Sequence, residues 1–208
     1  MNKKLLLLGA GGHCISVLDS IMSLNEYTDI RIIDRKELLG QQVLKYSISG
    51  TDEDLPKLRE KGYNSACVTI GDNFLREKLV CLLEDLNFKL PSFIDPSAIV
   101  SPYSEIGEGV FIGKNAVINA GSSIGKGSVI NTASIIEHNC TVEEFVHIAP
   151  GSVLCGDVSV KKNTHIGANS VVREQITIGP DSIIGMGSVV VTNISSKSIA
   201  YGNPCKER

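Results

Sequence analysis

Four histidines occur in the 208 residues, and three of them, His138, His147 and His165, lie in the second half of the chain. An imidazole near its unperturbed pKa of about 6.5 can take up a proton at neutral pH. His138 sits in the most polar part of that half, Ile136-Glu137-His138-Asn139-Cys140-Thr141-Val142-Glu143-Glu144-Phe145-Val146-His147. Three imidazoles are also the number that a catalytic zinc takes, although the short His-x4-His spacing expected of such a site is missing. The fourth histidine has a different setting, Gly9-Ala10-Gly11-Gly12-His13-Cys14, where a short apolar run gives way to a helical pattern. A tight glycine turn at a helix N-terminus lets backbone N–H groups approach an anion such as a phosphate or carboxylate. Asp34, after the next apolar run, is placed to hold ribose hydroxyls. Gly71, after the run ending at Ile70, is a further candidate contact. Cys14 replaces the last glycine of a dinucleotide fingerprint, so Gly11, Gly12, His13 and Asp34 read as contacts for a nucleotide-linked ligand, not for a full dinucleotide, with a glycine turn that merely packs the helix as the alternative.

These groups need elements to hold them, and the second half declares its architecture by period. From Ile94 every sixth residue through Val190 is Ile, Leu or Val without exception. A period of six suits neither an α-helix nor a two-faced strand, but it suits a solenoid in which each hexapeptide forms one short side and then turns. The aliphatic column points inward, and small residues recur two positions earlier, among them Ser104, Ala116, Ser122, Ser128, Cys140 and Ser170. The next position, often glycine (Gly107, Gly113, Gly125, Gly167, Gly179, Gly185), is expected to turn with positive φ. His138 falls two places after an inward residue and therefore faces outward. His147 and His165 are 18 residues apart and are expected to stack at one corner.

Residues 1–90 alternate apolar and amphipathic runs and read as a small parallel α/β domain. Strands are expected at 4–8, 30–34, 46–49 and 65–70. Helices are expected at 12–25, at 52–61 after a Thr51 cap, and at 73–86. Pro91 and Pro96 mark the change of texture, and residues 91–208 form the second domain.

With these motifs on the page, the chain resembles the hexapeptide-repeat sugar acetyltransferases, which include sialic-acid O-acetyltransferases and the N-acetyltransferases of nucleotide-linked amino sugars such as bacillosamine and perosamine. The resemblance rests on Gly9-Ala10-Gly11-Gly12-His13, Glu137-His138-Asn139-Cys140, Glu144-Phe145-Val146-His147 and the closing Gly202-Asn203-Pro204-Cys205-Lys206, and it covers the whole chain. It implies a Rossmann-like half followed by a left-handed parallel β-helix with three hexapeptides per coil. It also implies acetyl-CoA as cosubstrate, a nucleotide sugar as acceptor, a homotrimer, and direct acetyl transfer to an amino group with His138 as base. Asn139 follows that base where some relatives carry a carboxylate, so the partner of the imidazole is Asn139 by hydrogen bond, or the charge of Glu137, Glu143 or Glu144. Gly156, one coil after His138, would offer an oxyanion N–H, and His147, His165, Ala168 and Met186 would meet the cofactor.

Alternatives are O-acetylation of a sialic or related nonulosonic acid, a zinc-dependent enzyme resembling the carbonic anhydrases built on such prisms, and a non-catalytic trimerising scaffold. A net charge of −3 gives no basic surface for nucleic acid or an anionic membrane, and the Leu5–Leu8 run is too short for a signal or a membrane span. The six cysteines lack metal-like spacing and read as free thiols of a cytoplasmic protein. No resident metal is expected.

Overall fold

The structure, a computed structural model, describes residues 3–208. The chain divides into two compact units, Met1–Phe93 and Ile94–Arg208.

In the first unit, strands β1 (Lys4–Leu8), β2 (Asp29–Ile33) and β5 (Ser65–Val68) form a parallel sheet in the order β2-β1-β5. Leu5 to Leu8 on the central strand are buried on both faces, which is why that run shows no alternation. Between β2 and β5 lie the small antiparallel pair β3 (Gln42–Val43) and β4 (Tyr46–Ser47) and a short helical segment. That segment is not one helix over 52–61. It is a 3-10 turn, Asp52–Asp54, followed by helix α2 (Leu55–Glu60), and Pro56 has no N–H to carry the hydrogen-bond ladder across the junction. Thr51 caps the turn as expected, through a reciprocal capping box with Asp54. Helix α1 (Gly12–Leu24) follows β1, and helix α3 (Asn73–Asp85) follows β5 with Asp72 accepting from the Leu75 N–H at 2.8 Å. Strand order therefore reverses beside β1, and ligands of open α/β sheets bind outside the carboxyl ends of the strands at such a point.

The second unit is a three-walled parallel β-solenoid. Wall 1 stacks the two-residue strands at 99–100, 117–118, 135–136, 153–154, 171–172 and 189–190. Wall 2 stacks those from 105–106 to 177–178, and wall 3 those from 111–112 to 183–184 before the terminal strands. Partners in a wall differ by 18 residues, as in Val117↔Ile135↔Val153, so three hexapeptides make each coil. The inward aliphatics from Ile112 through Val190 are essentially fully buried and form one continuous core. The small column has a polar task. Ser122 donates to the Glu137 carbonyl at 2.7 Å and accepts from the Cys140 N–H at 3.0 Å, and Ser128 does the same with Glu143 and Val146. Each hydroxyl thus satisfies two backbone groups of the next coil that the walls leave over.

One expectation about the corners is corrected. Positive φ falls three places after the aliphatic, at Gly109, Asn115, Gly121, Gly127, Asn139, Gly151, Asn163 and Asn169, not one place after it. The glycines one place after are required by contact between coils. A Cβ at Gly167 would lie 2.5 Å from the Met186 amide nitrogen, and one at Gly125 would lie 2.6 Å from the Glu144 amide nitrogen.

Candidate active site

His138 is exposed at the corner between walls 1 and 2. Its ring packs on Gly156 of the next coil so closely that a Cβ there would come within 2.5 Å of the ring carbon Cε1 and 2.6 Å of Nε2. Gly156 does not have positive φ, so this glycine is set by the imidazole and not by backbone shape. Among the described residues no backbone hydrogen bond engages the Gly156 N–H, and Gly156 itself is buried.

Asn139 does not orient the ring. Its left-handed backbone (φ 59°) turns the side chain toward the preceding coil, where the amide oxygen lies over Gly121. The nearby carboxylates also have other hydrogen-bond or ion-pair partners. Glu137 accepts from the Asn119 amide at 3.0 Å. Glu143 takes the Lys161 ammonium at 2.9 Å and the Lys162 N–H at 3.0 Å, and these pairings hold its carboxyl below the usual range against the opposing effect of burial. Glu144 faces Lys162 at 3.9 Å.

Cys140 is buried, donates its thiol to the Cys155 carbonyl at 3.1 Å, and is pushed up by burial to about 11. The half-exposed Cys155 thiol is raised as well, chiefly by desolvation. Neither is a thiolate nucleophile at neutral pH.

His147 and His165 are on the flat of wall 3, not at a corner, because each is the first residue of a two-residue strand. They are paired across adjacent coils with ring centroids 4.9 Å apart, edge to face. Asn131, which its residue type marks only as a turn former, holds His147. Its Oδ1 accepts the Thr132 N–H at 2.8 Å, so its Nδ2 is the donor to His147 Nε2 at 3.1 Å, and the imidazole proton is assigned to Nδ1. Ala168 and Met186 follow on the corner between walls 3 and 1, one coil apart, with Met186 80% exposed. His147 is buried and His165 partly so, while Met186 stands out from the corner beyond them. His138 and Gly156 belong to the next corner, across wall 1, so the two groups do not converge within one chain. The three imidazoles consequently form no triad, and no group of three or more His, Cys, Asp or Glu suited to a metal occurs among the described residues.

In the first unit the residues singled out lie beyond the carboxyl ends of β1, β2 and β5. Gly11 and Gly12 open α1 with no side-chain cap, and the Asp34 carboxylate accepts the Ala10 and Arg35 N–H groups, each at 2.6 Å. Asp34 therefore shapes the glycine turn itself. A Cβ at Gly11, Gly12 or Gly71 would meet no atom within 4 Å, so open space lies over all three. His13 is held neutral down to about 4, first by burial and then by the charge of Arg76, a fully buried side chain that residue pattern alone did not single out.

Three family models match the chain. The PglD N-terminal domain family matches residues 4–83, the GMPPB C-terminal domain family residues 80–173, and the bacterial transferase hexapeptide family residues 157–192. No curated protein matches significantly. Among solved structures, PerB from Caulobacter crescentus in complex with CoA and GDP-perosamine is 38% identical, covering 99% of this chain and 97% of that one at a TM-score of 0.94. The chain belongs to the PglD-like hexapeptide-repeat acetyltransferases. The acetyltransferase domain of PglB from Neisseria gonorrhoeae, in complex with acetyl coenzyme A, is 34% identical to this acetyltransferase over the full length of both chains, with a TM-score of 0.95. The perosamine N-acetyltransferase is also known as variants with one histidine changed to asparagine or to alanine, each bound to CoA and GDP-perosamine.

Proposed function

We propose that the protein transfers an acetyl group from acetyl-CoA to the amino group of a nucleoside-diphosphate-linked amino sugar. The observation that carries this reading is the exposed His138 imidazole seated on Gly156. In the step it supports, the acceptor nitrogen attacks the thioester carbonyl carbon and loses its proton to His138. The resulting oxyanion is met by the Gly156 N–H, and CoA leaves as a thiolate that takes the proton back from the imidazolium. Every atom is accounted for without an acyl-enzyme, in keeping with the protonated cysteines. Asn131 and His147 orient the thioester end of CoA. Ala168 and Met186 flank its chain, with His165 supporting His147. Gly11, Gly12, His13, Asp34 and Gly71 receive the nucleotide sugar.

The active enzyme on this reading is a homotrimer. The outward residues of wall 1, Ile99, Val117, Ile135, Val153, Val171 and Val189, are all aliphatic and all at least partly exposed, whereas those of wall 2 are Glu105, Ser123, Thr141, Ser159 and Thr177. Wall 1 lies between the two separated halves of the site, so packing it against a neighbouring prism brings His138 of one subunit toward the His147 surface of the next. Rotation about a three-fold axis closes such a set. The setting is cytoplasmic, where acetyl-CoA is available, and no helix among the described residues is long and apolar enough to cross a membrane.

The test is release of CoA thiol against a panel of UDP-, GDP- and CMP-linked sugars. Turnover with an amino sugar carrying a nucleoside diphosphate supports the reading. Turnover only with a hydroxyl acceptor such as a CMP-linked or free nonulosonic acid would assign O-acetylation, and silence across the panel would return the prism to a scaffold.

A further inference from the structure

His138, Gly156 and Glu174 stand 18 residues apart, each two places after an inward aliphatic (Ile136, Leu154 and Val172), so they form one column down the corner between walls 1 and 2. The corner keeps register, since the Asp157 N–H donates to the His138 carbonyl and the Gln175 N–H to the Gly156 carbonyl, both at 3.0 Å. The His138 ring leans forward over Gly156, which has no side chain to fill that place. The Glu174 carboxylate comes back toward the same coil, where the Cys155 thiol, raised first by desolvation, feels its charge next. Among the described residues Glu174 makes no hydrogen bond. Its ion pair with Arg173, at 4.0 Å between two largely exposed side chains, is weak. The other carboxylates of this corner are committed or aimed elsewhere. Glu137 accepts from the Asn119 amide. Asp157 has the same left-handed backbone that turns Asn139 toward the preceding coil (φ 61° and 59°), and the Cys140 thiol, raised chiefly by burial, also feels its charge.

We propose that Glu174 is a positioning residue for the base, its carboxylate meeting the His138 imidazole over Gly156 and stabilising the imidazolium that forms when the acceptor amine gives up its proton. This rests on His138 being the base, as proposed above. Two coils span about 10 Å at the spacing of paired strands, a gap that two side chains extended toward each other close when the residue between them is glycine. The carboxylate accepts the imidazolium N–H and does not itself take the proton. It favours the charged ring over the neutral one, so its effect falls on the step that makes the charge and not on binding of either substrate.

The experiment is steady-state kinetics of the full-length enzyme with acetyl-CoA and the acceptor turned over fastest in the panel of UDP-, GDP- and CMP-linked sugars. It uses wild type, Glu174→Gln, Asp157→Asn, His138→Ala and the double variant Glu174→Gln with His138→Ala. Glu174→Gln keeps the size of the side chain and removes its charge. It is expected to lower kcat about fivefold while leaving both KM values and the thermal unfolding transition unchanged. Asp157→Asn is expected to stay within about twofold of wild type. Added to His138→Ala, Glu174→Gln is expected to cost nothing further, because its effect needs the ring. A kcat within about twofold of wild type in Glu174→Gln, a raised KM with kcat kept, or a full further loss in the double variant overturns the role of Glu174. Wild-type turnover in His138→Ala overturns the base itself, and with it the reading on which Glu174 depends.

Discussion

At the scale of single residues the site turns on a ring lying against a bare backbone. His138→Ala removes the proton acceptor and should lower kcat by about two orders of magnitude or more, with the unfolding transition unchanged because the side chain is on the surface. Gly156→Ala is the sharper probe. Its backbone tolerates alanine, but the added methyl occupies the space of the imidazole, so kcat should fall by at least about tenfold from misplacement of the ring alone. Near-wild-type turnover in either variant would remove this corner from the mechanism. His13 gives a pH effect whose sign can be worked out. Its folded pKa, about 4, lies below the unfolded value of about 6.5, so the unfolded chain binds the extra proton. The stability contributed by neutral His13 is full above about pH 6.5 and is lost as pH falls toward 4, on the order of 3 kcal/mol in total. Denaturant unfolding between pH 7 and 4 should show this slope, and His13→Asn should flatten it.

At the scale of the element, the solenoid was legible because its period is a direct product of its geometry. One aliphatic per side and three sides per coil must write a six-residue rhythm into the chain. What the rhythm could not show is why a given corner holds glycine. Residue type is silent on whether φ or a neighbouring coil makes the demand, and the two columns were accordingly exchanged. The contrast is measurable. Gly125→Ala drives a methyl into the backbone of Glu143 and Glu144 and should cost about 1–3 kcal/mol. Gly187→Asn, at positive φ with open space around it, should be close to neutral. Phe145 marks the limit of reading by type, since its ring reads as core while its backbone is left-handed and seats the ring over Gly127. Asn139 fails as an orienting partner for a similar reason, because its backbone turn aims the amide away from His138. Asn131 and Arg76 were not legible as neighbours of the candidate histidines because those contacts are made on folding. Asn131 reaches a histidine one coil on, and Arg76 reaches back under a loop. His138, His147 and the glycine turn were readable because their chemistry is carried by their own residue types.

At the scale of the whole molecule, the proposed function separates His138 from the His147 surface, with wall 1 and the corner of Ala168 and Met186 between them. On that proposal association is part of the chemistry. Val153→Asp, in the middle of the aliphatic wall, should shift the protein to monomer in sedimentation and abolish turnover while leaving the coil intact, since an unpaired carboxylate in a closed interface is strongly disfavoured. The central claim, that neighbouring subunits complete each site, is tested most directly by complementation. His138→Ala and His147→Ala chains, each inactive alone, are co-expressed with distinct tags, and mixed oligomers are purified through both. If each site joins His138 of one subunit to His147 of the next, every mixed trimer regains one complete site of its three, and turnover should return to about a third of wild type. Mixed oligomers as inactive as their parents would place both histidines in a single-chain site and contradict the account.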